Sequence, residues 1–250
     1  MSIKVKDLLN EKIAVKYNDK LFWYAKNVQI TNDNVEIYIE NSSLVTFDDI
    51  NIEGVHQKVS KLSQIKQSDE NNMNDVLVSS GSFLFINDKL VITQRTANTK
   101  YDPLHWTSPA GRCDRTILET GIKETIEEIS ITRDNKTLFP NIAKNFISDT
   151  KNIEFYKTSF ENKQFPLKVY NINLYLDNIL IEKFKSWMYY SKDVNTLEFR
   201  IPIFAKLDEK ELKFSNPEFG TDTKLISVEA LKSLETVPSV TILLNQLLKD

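Results

Sequence analysis

The sequence predicts a mixed α/β (α+β) fold, and three observations carry that reading. Segments rich in β-branched and aromatic residues recur along the chain, near 21–29, 35–39, 76–86, 89–95 and 199–205. One central segment, Ile117 to Ile131, has helical periodicity, with Ile117, Ile122, Ile126 and Ile129 on one apolar side. A final amphipathic segment, 238–249, turns Val240, Leu243, Leu244, Leu247 and Leu248 inward.

The chain has 250 residues, enough for one large domain or two small ones with ample core. Hydrophobic residues make up 41% and charged residues 27%, the balance of an ordinary globular protein. A net charge of -3 gives no general attraction to nucleic acid, although a local basic cleft is compatible with it. The single cysteine, Cys113, excludes an intramolecular disulfide and suits a reducing compartment. The first residues lack the apolar run of a signal peptide, and no stretch approaches the ~20 apolar residues of a membrane span. A cytoplasmic protein with no membrane partner is expected. Two histidines, His56 and His105, make a His-rich zinc site a poor reading.

In order, 3–11 reads as a short helix, 13–17, 21–29 and 35–39 as strands, and 52–62 as a helix. Together 1–70 forms a small, mostly β N-terminal unit, whose plainest role is packing or homodimerisation. Residues 63–75 are polar and aperiodic and read as a linker. The main domain spans 76–250. It opens with strand-like segments at 76–80 and 82–86, followed after an Asn87-Asp88 turn by a strand at 89–95. Beyond the central helix, Phe146, 153–156 and 167–175 suggest strands and 178–190 a helix. Trp187, Tyr189 and Tyr190 read as core. Ser227 is the expected N-cap of a short helix to Leu234.

The central helix carries the chemistry. Glu124, Glu127 and Glu128 stand at i, i+3 and i+4 and share a face. Like charges at that spacing destabilise a helix, so the cluster calls for a neutralising cation. Hard divalent ions such as Mg²⁺ or Mn²⁺ prefer oxygen ligands and recruit phosphates.

These residues resemble the Nudix box, G-x5-E-x7-R-E-U-x-E-E-x-G-U with U aliphatic. Gly111 matches the opening glycine, and Lys123-Glu124-Thr125-Ile126-Glu127-Glu128-Ile129-Ser130-Ile131 matches the end. Trp106-Thr107-Ser108-Pro109-Ala110-Gly111 looks like the W-x-x-P-[GA]-G entry. Lys123 stands for Arg, Thr125 for an aliphatic residue and Ser130 for Gly. The loop is two residues short, and Arg115 or Ile117 falls where the first box glutamate is expected. Pro217-Glu218-Phe219 resembles the P-E-F-x-G segment of RNA pyrophosphohydrolases and dinucleoside polyphosphate hydrolases of that superfamily.

The resemblance implies a Nudix α/β/α sandwich around a mixed sheet. The gap from the box to strand 199–205 then implies an insertion at about 150–195. It implies Mg²⁺ or Mn²⁺ on Glu124, Glu127 and Glu128, with catalytic roles for Glu127, Glu128, Glu218 and Lys123. Arg95, Arg112 and Trp106 become candidates for substrate contact. The implied activity is metal-dependent hydrolysis of a nucleoside diphosphate linked to another group, such as ADP-ribose, NADH or a dinucleotide. The rivals are a nucleotide-binding module that cleaves weakly or not at all, and an RNA 5′-end pyrophosphohydrolase. The acidic balance counts mildly against RNA. Isomerase chemistry ranks last.

Overall fold

The computed structural model describes residues 20–21, 24–40, 45–46, 72–73, 76–113, 116–139, 168–191, 196–205 and 207–248. The expected elements at 3–11, 13–17, 52–62, Phe146 and 153–156 lie outside them. Near the start come β1 (Lys20–Leu21), β2 (Tyr24–Ala25), β3 (Asn27–Thr31), β4 (Asn34–Ile39), β5 (Val45–Thr46) and β6 (Asn72–Met73). There follow β7 (Val76–Ile86), β8 (Lys89–Gln94), β9 (Trp106–Thr107), β10 (Ala110–Arg112) and α1 (Ile117–Glu128). Next are β11 (Ser130–Arg133), β12 (Lys136–Phe139), β13 (Tyr170–Leu176), β14 (Ile179–Ser191) and β15 (Thr196–Ala205). The last elements are β16 (Lys213–Ser215), β17 (Thr223–Ile226), α2 (Val228–Leu231) and α3 (Pro238–Leu247).

One mixed sheet runs β17-β8-β7-β15-β14-β13-β4-β3-β6. Its parallel pairs are β7 with β15 and β13 with β4. Alternation along β7 and β8 separates two cores. Leu84, Ile86 and Val91 pack with Ile129, Ile131, Ile201 and Ile203, on the side where α1 lies. Phe83, Phe85, Leu90 and Ile92 pack with Leu231, Val240 and Leu243, under α2 and α3. Helices therefore cover both faces, the α/β/α sandwich read from the sequence.

Two expectations are revised, the helix at 178–190 and the linker at 63–75. Residues 178–190 form β14, not a helix. Asp177 and Asn178 take positive φ (48° and 66°) and make a two-residue hairpin turn of the kind that both-positive angles favour. A register shift opposite Leu174/Tyr175 then breaks the strict alternation, which is why the apolar spacing mimicked a helix. The described part of the 150–195 region, β13 and β14, lies in the sheet between β4 and β15. The expected 63–75 linker contains β6, which pairs with β3. The N-terminal strands extend the main sheet, and Ala25, Val28, Ile37 and Met73 share a core with Cys113, Ile117 and Phe199. The β11–β12 hairpin was not anticipated. It turns on Asp134 and Asn135, both at positive φ.

Among the described residues, no helix is long and apolar enough to cross a membrane.

Candidate functional site

The site is built where α1 docks onto β7. Thr116 caps the helix by accepting from Glu119 N–H, and Glu119 returns a bond to the Thr116 backbone, a capping box. Gly121 lets the helix approach closely: a Cβ there would lie 2.6 Å from Ile201 and 2.8 Å from the Gly81 carbonyl oxygen. Ser80 Oγ donates to the Ile117 carbonyl at 2.6 Å, and Ser82 Oγ meets Thr125 Oγ1 at 2.5 Å. Thr125, the departure from an aliphatic box position, is thus a buried hydroxyl matched by a buried serine.

The loop entering the helix fixes two carboxylates. The Ala110 N–H donates to Glu128 Oε1 at 3.3 Å. Gly111 leaves room for Glu124, whose carboxylate atoms lie 2.4 to 2.6 Å from where a Cβ would stand. Glu124 and Glu128 therefore face one cleft of about 460 Å³, with Arg95, Arg112 and Arg200 in the same lining. Burial pushes the Glu128 carboxyl up to about 8, and Glu124 and Glu218 push the same way. The Ala110 N–H and the Arg200 charge oppose it.

The other expected site residues separate into groups. Lys123 Nζ lies 3.3 Å from Glu124 Oε1 and 3.4 Å from Glu127 Oε2, so it bridges the two. Glu127 does not line the cleft, and its side chain is 43% exposed. Glu218 is exposed at the cleft mouth, on a loop that Asn216 shapes by accepting from the Glu218 and Phe219 N–H groups. Its carboxyl is raised by burial and by Glu127 and lowered by Lys123, so it stands within electrostatic reach of the helix. Arg95 Nε is buried and has no hydrogen-bond partner among the described residues. Trp106 is not a cleft residue. It is 9% exposed within the α2–α3 core, with Lys224 Nζ 3.8 Å above its ring. Its backbone anchors the turn before α3 through Glu235 and Val237. Ile117 is buried core, and Arg115 lies outside the described residues.

Three cleft residues were not read from the sequence: Arg200, Glu198 and Asn216. An arginine between Phe199 and the apolar run 201–205 was the available signal. Asn216 before Pro217 was another, since that side chain commonly bonds backbone two residues on.

The donor set suits a hard divalent ion. A buried carboxylate with strongly raised proton affinity, Glu128, and a half-buried neighbour, Glu124, share a cleft with cations and supply only oxygen. Among the described residues no three His, Cys, Asp or Glu side chains are gathered to hold a metal. Mg²⁺ commonly uses one or two carboxylates and completes its shell with water and phosphate, so this set fits it.

No protein-family model matches the sequence, and no curated protein matches it. Among solved structures, it is similar to a bifunctional NMN adenylyltransferase/ADP ribose pyrophosphatase from Francisella tularensis. The two are 17% identical with a TM-score of 0.41, over 77% of this chain and 47% of the other. The chain thus spans about half the length of that protein. It is similar to a MutT NUDIX hydrolase from Burkholderia pseudomallei at 11% identity and a TM-score of 0.36, over 68% of this chain and 95% of that one. For a C. elegans Ap4A hydrolase the values are 13% and 0.34, over 67% and 92%. The fold is a three-layer sandwich around a mixed sheet, in which the loop and helix of residues 106–131 bring Glu124 and Glu128 to the cleft.

Proposed function

We propose that this chain is a metal-dependent hydrolase that cleaves the pyrophosphate link of a nucleoside diphosphate joined to another group. ADP-ribose, NADH and dinucleotides are the favoured substrates. One observation carries the reading: Glu124 and Glu128 face Arg95, Arg112 and Arg200 across a single cleft. Carboxylates serve a divalent ion, and arginines serve phosphate oxygens.

Glu124 and Glu128 would hold the metal. Glu127, which Lys123 bridges to Glu124, would be a third ligand. Mg²⁺ or Mn²⁺ held there would supply positive charge and Lewis acidity at the diphosphate. Arg95 and Arg112 orient the diphosphate. Water attacks one phosphorus, the bond to the bridging oxygen breaks, and two phosphorylated products leave. A glutamate of the helix, or Glu218 at the mouth, accepts the water's proton. Lys123 orients Glu124 and Glu127. A cytoplasmic location and a homodimer belong to the same proposal; a buried single cysteine suits the first.

A second reading, a binding module that does not cleave, is favoured by the Lys123 bridge, which holds Glu127 out of the cleft. Purified protein with Mg²⁺ or Mn²⁺, offered ADP-ribose, NADH, diadenosine polyphosphates, triphosphates and capped RNA, separates the two. Cleavage of one group into two phosphorylated products is expected. Ligand-induced thermal protection with no product from any of them would establish the binding module instead.

A further inference from the structure

Arg200 lies deepest of the three arginines in the cleft. It is 3% exposed and sits mid-strand in β15, between Gly81 of β7 and Trp187 of β14. Gly81 has no side chain, and a Cβ there would stand 1.9 Å from the Pro109 carbonyl oxygen. The 108–110 segment therefore closes over β7 and brings Ser108 to the guanidinium. Nε donates to Ser108 Oγ at 3.1 Å, Nη1 to the Phe199 carbonyl at 3.1 Å and Nη2 to Glu198 Oε2 at 2.9 Å.

A guanidinium has five N–H donors in a planar fork. Three hydrogen bonds fix the plane from three directions, and two donors have no partner among the described residues. A buried cation is costly unless it is paired, and Glu198 supplies that pairing. A clamp that only tied the 108–110 segment to the sheet would have no reason to line an open polar cleft. Arg200 and Glu198 both line it, beside Glu124 and Glu128. Arginines and carboxylates balance there, three against three: Arg95, Arg112 and Arg200 with Glu124, Glu128 and Glu198. A divalent ion would leave that lining with surplus positive charge, which an anionic ligand offsets.

We propose that Arg200 is a fixed oxyanion seat, using its two remaining N–H donors to hold a phosphate oxygen, with Ser108 and Glu198 as positioning residues. The need for an anion follows from the cleft itself. Its identity as a diphosphate rests on the proposed function.

The test is calorimetric titration of the full chain with inorganic pyrophosphate in excess Mg²⁺, for wild type, Arg200→Lys, Ser108→Ala and the double variant Arg200→Met with Glu198→Gln. The double variant removes the pair together and leaves no unpaired buried charge. Arg200→Lys keeps the charge and loses the fork. Affinity should fall roughly 10- to 100-fold in the arginine variants, the range for losing charge-assisted hydrogen bonds. With a hydrolysed substrate, KM should rise by a similar factor while kcat moves little. A clamp alone would lower the thermal midpoint and leave the affinity of the folded protein unchanged. Affinity within about threefold of wild type in the double variant overturns the proposal, as does a wild type that binds no pyrophosphate. If the arginine variants do not fold, Ser108→Ala decides: weaker binding supports the seat, and unchanged binding overturns it. Pyrophosphate binding that depends on Arg200, without turnover of any substrate, keeps the seat and sinks the hydrolase.

Discussion

The two ends of α1 hold the same kind of residue in different surroundings. At the N-terminal end, Glu182 of β14 sits beside Glu119, and the Leu118 N–H donates to it at 3.5 Å. Thr116 and the Ile117 N–H also hold it, while burial and Glu119 push its carboxyl up to about 8. The residue is only half-buried, but the carboxyl group itself is enclosed. The helix start offers unsatisfied N–H groups and the positive end of the dipole, so the chain itself satisfies these acids. At the other end, Glu124, Glu127 and Glu128 crowd the last turns, where the dipole is negative and no basic residue lies in the final turn. One lysine spans two of them, and Glu128 takes its N–H from a neighbouring loop. Like side chains thus play different parts according to which helix end they meet: the first pair fastens β14 to the helix, and the second cluster calls for a cation.

The largest effect should come from the C-terminal end. Glu128→Gln removes the buried carboxylate proposed to hold the metal, without changing volume. Turnover should fall on the order of 100-fold or more, since outer-shell partners alone are worth roughly 10- to 100-fold. Metal-free thermal stability should hold near neutral pH and rise above about pH 8, where the Glu128 carboxyl loses its proton and repels Glu124. Full activity in this variant would remove Glu128 from the mechanism.

Gly111→Ala should come next. The added methyl falls where the Glu124 carboxylate lies, and that flexible side chain must move. Steady-state assays should show a loss of roughly tenfold or more, of the size seen when a metal ligand's support is disturbed. Circular dichroism should show an unchanged fold. Unchanged turnover would mean that the placement of Glu124 over Gly111 is irrelevant.

Glu182→Gln sharpens the contrast from the N-terminal end. Folded Glu182 keeps its proton to about pH 8, whereas an ordinary glutamate releases it near 4.5. Between those values the folded state binds the extra proton, so this group's contribution to stability declines as pH rises. The variant's melting temperature relative to wild type should therefore climb from pH 5 to pH 8, with catalysis little changed. A difference that is flat with pH would contradict the enclosed carboxyl.

Thr116→Ala should give the smallest effect. Loss of the cap should cost about 1 kcal/mol in denaturant unfolding and leave kcat unchanged. A large fall in kcat would mean that the two helix ends are coupled.

How much of this the sequence disclosed depended on whether the signal was local. The central helix, its N-terminal stretch of apolar spacing, α3 and the Ser227 cap were legible because each rests on residues a few positions apart. Glu124 and Glu128 were legible for the same reason. Glu127 shows the limit: spacing places it on the acidic face, but whether it turns to the cleft or to Lys123 is a tertiary outcome. Arg200 depends on a parallel neighbour more than a hundred positions away, Gly81, whose bareness admits the 108–110 segment. Trp106 misled because its motif position suggests a ligand, while its burial depends on α2 and α3 near the other end of the chain. The β14 misreading had a local cause, a bulge that disguised period two.

The most direct test of the central claim is Mn²⁺ binding, followed by paramagnetic resonance or calorimetry, in wild type, Glu128→Gln and Glu182→Gln. The account expects wild type and Glu182→Gln to bind alike and Glu128→Gln to bind weakly or not at all. Binding kept in Glu128→Gln, or lost in Glu182→Gln, would contradict the assignment of the cation to the C-terminal end of the helix.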